Sequence, residues 1–214
     1  IPNAIIGRYL AEFCEIPTLD LIRFGSRAPV TFPQRIYEDQ ELLDLFAAYA
    51  RRKPIYLITQ FNHPREITPE SIRAVREFQA RGVQVRNQTV LLRGVNDDSE
   101  TLGTLLRALT RIEVVPYYIF QCRPVTGVKD RFQVPLREGV RLVDDAKAMQ
   151  NGIGKGIRYA MSHPRGKLEI LGEPEAGTML FKFHQNKEEA DSARIFTASI
   201  TDSTTWLDDK LEAI

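Results

Sequence analysis

The stretch Ile55-Tyr-Leu-Ile-Thr-Gln60-Phe-Asn62-His63-Pro-Arg-Glu-Ile-Thr68 decides the fold. A short β-rich apolar run ends at Gln60, Asn62 and His63 and gives way, at Thr68-Pro69, to a segment of helical period. Thr68 is a good N-cap, and Pro69 suits the first helical position, where its missing N–H costs nothing. A strand, a polar loop and a helix in that order make one βα unit.

The unit recurs along the chain. Apolar runs near 20–26, 55–61, 83–90, 114–121 and 157–162 alternate with helical segments near 4–15, 38–52, 69–81, 98–111 and 136–150. That alternation predicts an α/β fold with a parallel sheet. Asp97, with Glu100 three residues later, predicts a capping box at the fourth helix. From Lys167 onward the pattern becomes Leu168-Glu-Ile-Leu171, Thr178-Met-Leu-Phe-Lys-Phe183 and Arg194-Ile-Phe-Thr-Ala-Ser-Ile200, separated by turn residues. This predicts a small C-terminal antiparallel β appendage. The expected division is a partial βα barrel over 1–166 and, within the same domain, the appendage over 167–214.

Composition narrows the function classes. With 43% hydrophobic residues in 214, the chain can bury a full core. Its 29 Lys and Arg nearly balance 28 Asp and Glu, so no broad field points to nucleic acid or an anionic membrane. No apolar run is long enough to cross a bilayer, and the N-terminus has no signal pattern; a cytoplasmic protein is expected. Cys14 and Cys122 stand far apart, which predicts neither a disulfide framework nor a metal knuckle. No two of the histidines have helical metal-ligand spacing, so no metal site is expected from these residues.

Chemistry in parallel α/β barrels gathers at the C-terminal ends of strands, where the loops converge. The expected ends carry Ser26 and Arg27; Gln60, Asn62 and His63; Asn87 and Gln88; Gln121, Cys122 and Arg123; Ser162 and His163. Any one of these could simply satisfy loop backbone, but five polar ends suggest a site. His63, before Pro64, suits loop bracing; His163 fits either role; His184 falls in the appendage, where a surface role is expected. Lys167, after Gly166 and just past the last barrel strand, reads first as a solvated loop cation, with an amine able to reach a bound aldehyde as the alternative.

Several longer motifs carry a resemblance. Gly25-Ser26-Arg27 with Pro33-Gln34-Arg35-Ile36 comes first, then Phe61-Asn-His-Pro-Arg-Glu-Ile-Thr68. Asn87-Gln-Thr-Val-Leu-Leu-Arg-Gly-Val-Asn-Asp97 and Pro116-Tyr-Tyr-Ile-Phe-Gln-Cys122 follow in order. Together they resemble the lysine 2,3-aminomutase family of radical S-adenosylmethionine (SAM) enzymes, from about Ile5 into the C-terminal region. The resemblance implies a partial (βα)6 TIM-like radical SAM barrel. It also implies a [4Fe–4S] cluster, SAM cleaved to a 5′-deoxyadenosyl radical, and pyridoxal 5′-phosphate (PLP) used while an amino group migrates between adjacent carbons of an amino acid. Small-molecule amino-acid substrates, no nucleic acid, no membrane and a homo-oligomer are the corresponding expectations.

Carried over residue by residue, Gln88 matches a position that contacts SAM, and Gln60 falls where the lysine enzymes have a histidine in contact with SAM. Lys167 matches the PLP-bearing lysine by order and by its preceding glycine, although the family's longer Gly-rich approach and the Thr-Pro after the lysine are absent. Two aspartates hold the distant ammonium of lysine in the family; Arg123 and, by a gapped alignment, Ser162 stand in their places. A guanidinium facing an ammonium in a partly dehydrated site costs on the order of several kcal/mol. Arg123 instead suits a carboxylate through bidentate bonding, so an acidic or neutral amino acid is expected in place of free lysine. The opposing expectation is that Arg123 turns away to pair with Asp130 or Glu169.

The Cys-x3-Cys-x2-Cys motif that holds the cluster in this family does not occur in the 214 residues, nor does a Gly-Gly-Asp-like SAM motif. The chain therefore reads as the back portion of such an enzyme, with cluster ligands outside it, and as inactive alone. Two other readings are a degenerate barrel that binds an amino acid or PLP without catalysis, and a radical SAM enzyme of another reaction on the same scaffold.

Overall fold

The computed structural model describes residues 1–214, with the side chain of Asp130 outside the description. The chain divides into two compact units, residues 1–88 with 108–116, and residues 89–107 with 117–214. The fold is α/β, of the partial TIM-like barrel class, with an antiparallel appendage.

In the first unit α1 (Asn3–Cys14) leads to β1 (Ile22–Gly25), then to α2 (Ala28–Thr31), α3 (Gln34–Tyr37) and α4 (Gln40–Ala50). β2 (Ile55–Thr59), α5 (Pro69–Ala80) and the start of β3 (Gln84–Leu91) follow. The three strands are parallel neighbours in chain order, with Phe24 opposite Leu57 and Thr59 opposite Asn87. Ile55, Leu57 and Thr59 are buried while Tyr56 and Ile58 are half-buried, the period of two that a strand imposes. Helix α5 buries Ala74, Val75 and Phe78. Phe46 of α4 meets Phe24 and Phe78 edge-on at 5.3 and 5.0 Å, pairs that each add about 0.5–1.5 kcal/mol beyond area burial. Thr68 caps α5 as the sequence predicts, its hydroxyl accepting from Ser71 N–H while the Ser71 hydroxyl accepts from Thr68 N–H.

The second unit takes the end of β3, most of α6 (Ser99–Arg111) and nearly all of β4 (Val115–Gln121). It continues through α7 (Lys129–Phe132), α8 (Leu136–Ala148), α9 (Gly152–Lys155) and β5 (Arg158–His163) to the appendage of β6 (Gly166–Glu175), β7 (Thr178–Asn186) and β8 (Ile195–Ser199). β4 and β5 are parallel; β5 through β8 are successive antiparallel neighbours. One face of this sheet packs Ile119, Tyr159, Met161, Leu168 and Phe181 with Leu136 and Val143 of α8 in a single core.

All five parallel strands and the five longer helices fall within a few residues of their sequence positions. Three details differ. The cap of α6 is Asp98, whose carboxylate accepts from Thr101 N–H at 2.7 Å; Asp97 lies one residue too early to reach the third helical N–H. The four-residue helices α2, α3, α7 and α9 are too short to leave a period in the sequence. Lys167 lies in a strand, because β6 starts at Gly166 and turns back directly on β5, pairing Ser162 with Lys167 and His163 with Gly166.

Candidate functional site

Most polar groups at the strand ends brace loops. Asn87 is wholly buried and clamps the backbone after β2, its amide donating to Phe61 O at 3.1 Å and its oxygen accepting from Phe61 N–H at 2.6 Å. His63 accepts from Arg65 N–H, and Glu66 answers by accepting from His63 and Asn62 N–H. Arg27 ties that turn to β1, pairing with Glu66 at 2.6 Å and donating to Gln60 O. Ser26 accepts from Ala28 N–H. Gln121 is buried and donates to the carbonyls of Val134 and Thr205. His163 accepts from Arg165 N–H and faces Asp208 O at 3.0 Å. Cys122 is buried, which pushes its thiol pKa up and leaves it a poor nucleophile.

Bracing does not consume every polar end. Gln60 and Gln88 directly follow the paired residues Thr59 and Asn87, are half-buried, and make no side-chain hydrogen bond among the described residues. Each therefore keeps an amide donor and acceptor for a ligand. Both belong to the first unit; Lys167, Arg123 and Ser162 belong to the second.

Arg123 and Ser162 come together. The Arg123 guanidinium donates to Ser162 O from Nε at 3.0 Å and Nη2 at 2.8 Å, and to Ser162 Oγ at 3.2 Å. Three of its five N–H groups are thus engaged, leaving the two on Nη1 for another acceptor. The exposed side chain does not pair with Glu169, which faces Arg158 at 3.6 Å. Asp130, the other partner weighed for it, lies outside the described side chains.

Lys167 stands on the sheet face opposite the α8 core. Its Nζ lies 4.7 Å from the Tyr118 ring centroid and 5.7 Å from that of Phe120, and these rings stack at 4.9 Å. Register puts Arg158 beside Tyr118, and Ala160, Glu169 and Lys182 in one cross-strand row. A bulge in β7 opposite Lys167 brings in His184, whose ring meets Tyr118 edge-on at 5.8 Å. The half-buried His184 is held neutral by burial first and by the Arg158 charge second. This differs from the surface role expected of it. Sequence reading gave Arg158 no role, Glu169 only a possible pairing with Arg123 and His184 a surface role, because none of them lies at the C-terminal end of a barrel strand. The signal was alternation: Lys167 and Glu169 flank buried Leu168, and Lys182 and His184 flank buried Phe183.

These residues suit a phosphorylated aromatic aldehyde such as PLP: a lysine amine for the aldehyde, two rings as a platform and a cation nearby. They do not suit an iron–sulfur cluster. The chain has two cysteines, and among the described residues no three His, Cys, Asp or Glu side chains could hold a metal ion.

Parallel βα units with polar groups at the strand ends are the arrangement in which barrel proteins assemble their sites. Over 211 residues the chain is 38% identical to a putative L-lysine 2,3-aminomutase of Aquifex aeolicus, covering 98% of this chain and 56% of that protein. It is 41% identical over 143 residues to the L-lysine 2,3-aminomutase of Clostridium subterminale, covering 67% of this chain and 33% of that protein. To the glutamate 2,3-aminomutase of Clostridioides difficile it is 37% identical over 157 residues, 73% of this chain and 36% of that protein. The chain belongs to the lysine 2,3-aminomutase family. It spans about half the length, or less, of these curated relatives. No family model matches. Among solved structures, a radical SAM methyltransferase from Sphaerobacter thermophilus aligns with a TM-score of 0.42 at 21% identity, over 56% of this chain and 38% of that one.

Proposed function

We propose that the whole protein is a radical SAM, PLP-dependent amino-acid 2,3-aminomutase acting on an acidic or neutral amino acid, in the cytoplasm. The observation that carries the reading is Lys167, the residue matching the family's PLP lysine, set on an aromatic platform within a polar sheet face. PLP, when bound, supplies delocalisation of an unpaired electron during the migration. Cluster ligands would come from outside these 214 residues.

The chain's own residues bind and orient. Lys167 would hold the aldehyde, and Tyr118 with Phe120 would support a flat ring and exclude water from one side. Gln60 and Gln88 would offer their unused amides to SAM. Arg123, anchored on Ser162, would direct its remaining N–H groups at the substrate side chain. A carboxylate gains charge-assisted bonds there, whereas an ammonium meets repulsion. The glutamate enzyme among the relatives supports that preference.

Borohydride reduction of PLP-treated protein, followed by peptide mapping, tests the assignment of Lys167. A pyridoxyl group on the peptide carrying Lys167, lost in Lys167→Ala, is expected. A label on another lysine, or none in protein that has taken up PLP, removes the assignment.

A further inference from the structure

We propose that the polar face of β4 to β7 is an oxyanion-binding site in which Arg158, His184 and the Tyr118 hydroxyl, beside Lys167, take a phosphate or carboxylate group. Charge is the first support. Arg158, Lys167 and Lys182 stand on this face with the carboxylate of Glu169. Arg158 Nε lies 3.6 Å from Glu169 Oε2, longer than a hydrogen bond, which leaves the N–H edge of the guanidinium available for a bidentate acceptor.

The second support is independent of charge. Tyr118 is wholly buried, and its oxygen, although near Tyr117, makes no acceptable hydrogen bond among the described residues. A buried hydroxyl without a partner costs about 1–3 kcal/mol, so such a group is retained where a ligand atom completes it. Burial drives its pKa well up and keeps the proton on the oxygen, making it a donor. Neutral His184, 5.8 Å away ring to ring, adds a donor without requiring a second protonation. A phenol on β4, a guanidinium paired beside it on β5 and an imidazole N–H on β7 form a donor set that an oxyanion satisfies.

Two sources share this chemistry: a phosphate ester and a carboxylate. If the phosphate is that of the PLP on Lys167, the proposal also rests on the preceding reading. Calorimetric titration of the chain with inorganic phosphate and with acetate, on wild type, Arg158→Gln and Tyr118→Phe, separates the sources. Parallel borohydride trapping with PLP and with pyridoxal, which lacks the phosphate, separates this proposal from the assignment of Lys167. Saturable phosphate binding that weakens about tenfold or more in Arg158→Gln and severalfold in Tyr118→Phe is expected, the loss of one charge-assisted and one neutral hydrogen bond. Trapping at Lys167 should need about tenfold less PLP than pyridoxal, with the gap closing in Arg158→Gln. Acetate binding with the same dependence, without phosphate binding, assigns the site to carboxylates. Phosphate binding that depends on Arg158, with no trapping by either aldehyde, keeps the anion site and removes the Lys167 reading. Affinities for both anions unchanged in both variants overturn the anion site, even if PLP still labels Lys167.

Discussion

The hairpin that carries Lys167 is pinned from behind by Asp191, and replacing it should destabilise the second unit. The Asp191 carboxylate is wholly buried and accepts from Arg165 Nε at 3.0 Å, from Arg165 Nη2 at 2.8 and 2.7 Å, and from Arg194 Nη1 at 3.1 Å. Removing one partner of a buried ion pair costs about 3–5 kcal/mol, chiefly because the other charge stays buried and alone. Arg165 is 25% exposed and Arg194 44%, so both can recover water after Asp191→Ala. That places the cost near the lower limit, about 3 kcal/mol. Arg194→Ala removes a single bond from a largely solvated side chain and should cost no more than about 1 kcal/mol. Urea unfolding followed by the fluorescence of Trp206, the chain's single tryptophan and a buried part of this unit's core, reads the difference. With an m-value of about 1–3 kcal/mol/M, the midpoint of Asp191→Ala should fall by about 1–3 M. A midpoint within about 0.3 M of wild type would refute the claim that this cluster holds the hairpin.

Two further outcomes follow from the same hairpin. A Cβ on Gly166, where φ is +149°, would lie 2.0 Å from Gln185 O, so Gly166→Ala must push β6 from β7; a loss of about 2–3 kcal/mol and a reduced pyridoxyl yield at Lys167 are expected, checked by urea titration and peptide mapping. His163 accepts at Nδ1 and is buried, so the fold favours its neutral form and lowers its pKa below 6.5. As pH falls through 6.5 the unfolded chain takes a proton that the folded one refuses. Stability should therefore be level above that pH and fall towards pH 5, and urea midpoints of His163→Gln should show a flatter profile.

The fold was legible wherever a period could develop. The run ending at Thr59 and the helix capped at Thr68 announce themselves because burial alternates on the strand and recurs every third or fourth residue on the helix. Four residues at Ala28–Thr31 or Gly152–Lys155 cannot show such a recurrence. The site was legible in part. Strand ends pointed to the right region, yet the same polarity serves Asn87 and Gln121, whose bonds brace backbone, and Gln88, whose amide is unused. Sequence cannot separate these, because the distinction lies in which carbonyl approaches in three dimensions. Arg158, Glu169 and His184 needed the β5–β6–β7 register to be brought onto one face.

The central claim, a family aminomutase whose Arg123 selects the substrate side chain, is tested most directly by turnover. The whole protein, reduced anaerobically with SAM and PLP, would be given glutamate or lysine and the β-amino acid products quantified, for wild type and Arg123→Asp. Preferential conversion of glutamate is predicted, with that preference lost in Arg123→Asp. Efficient conversion of lysine by wild type, or unchanged activity of Arg123→Asp on both amino acids, would contradict it.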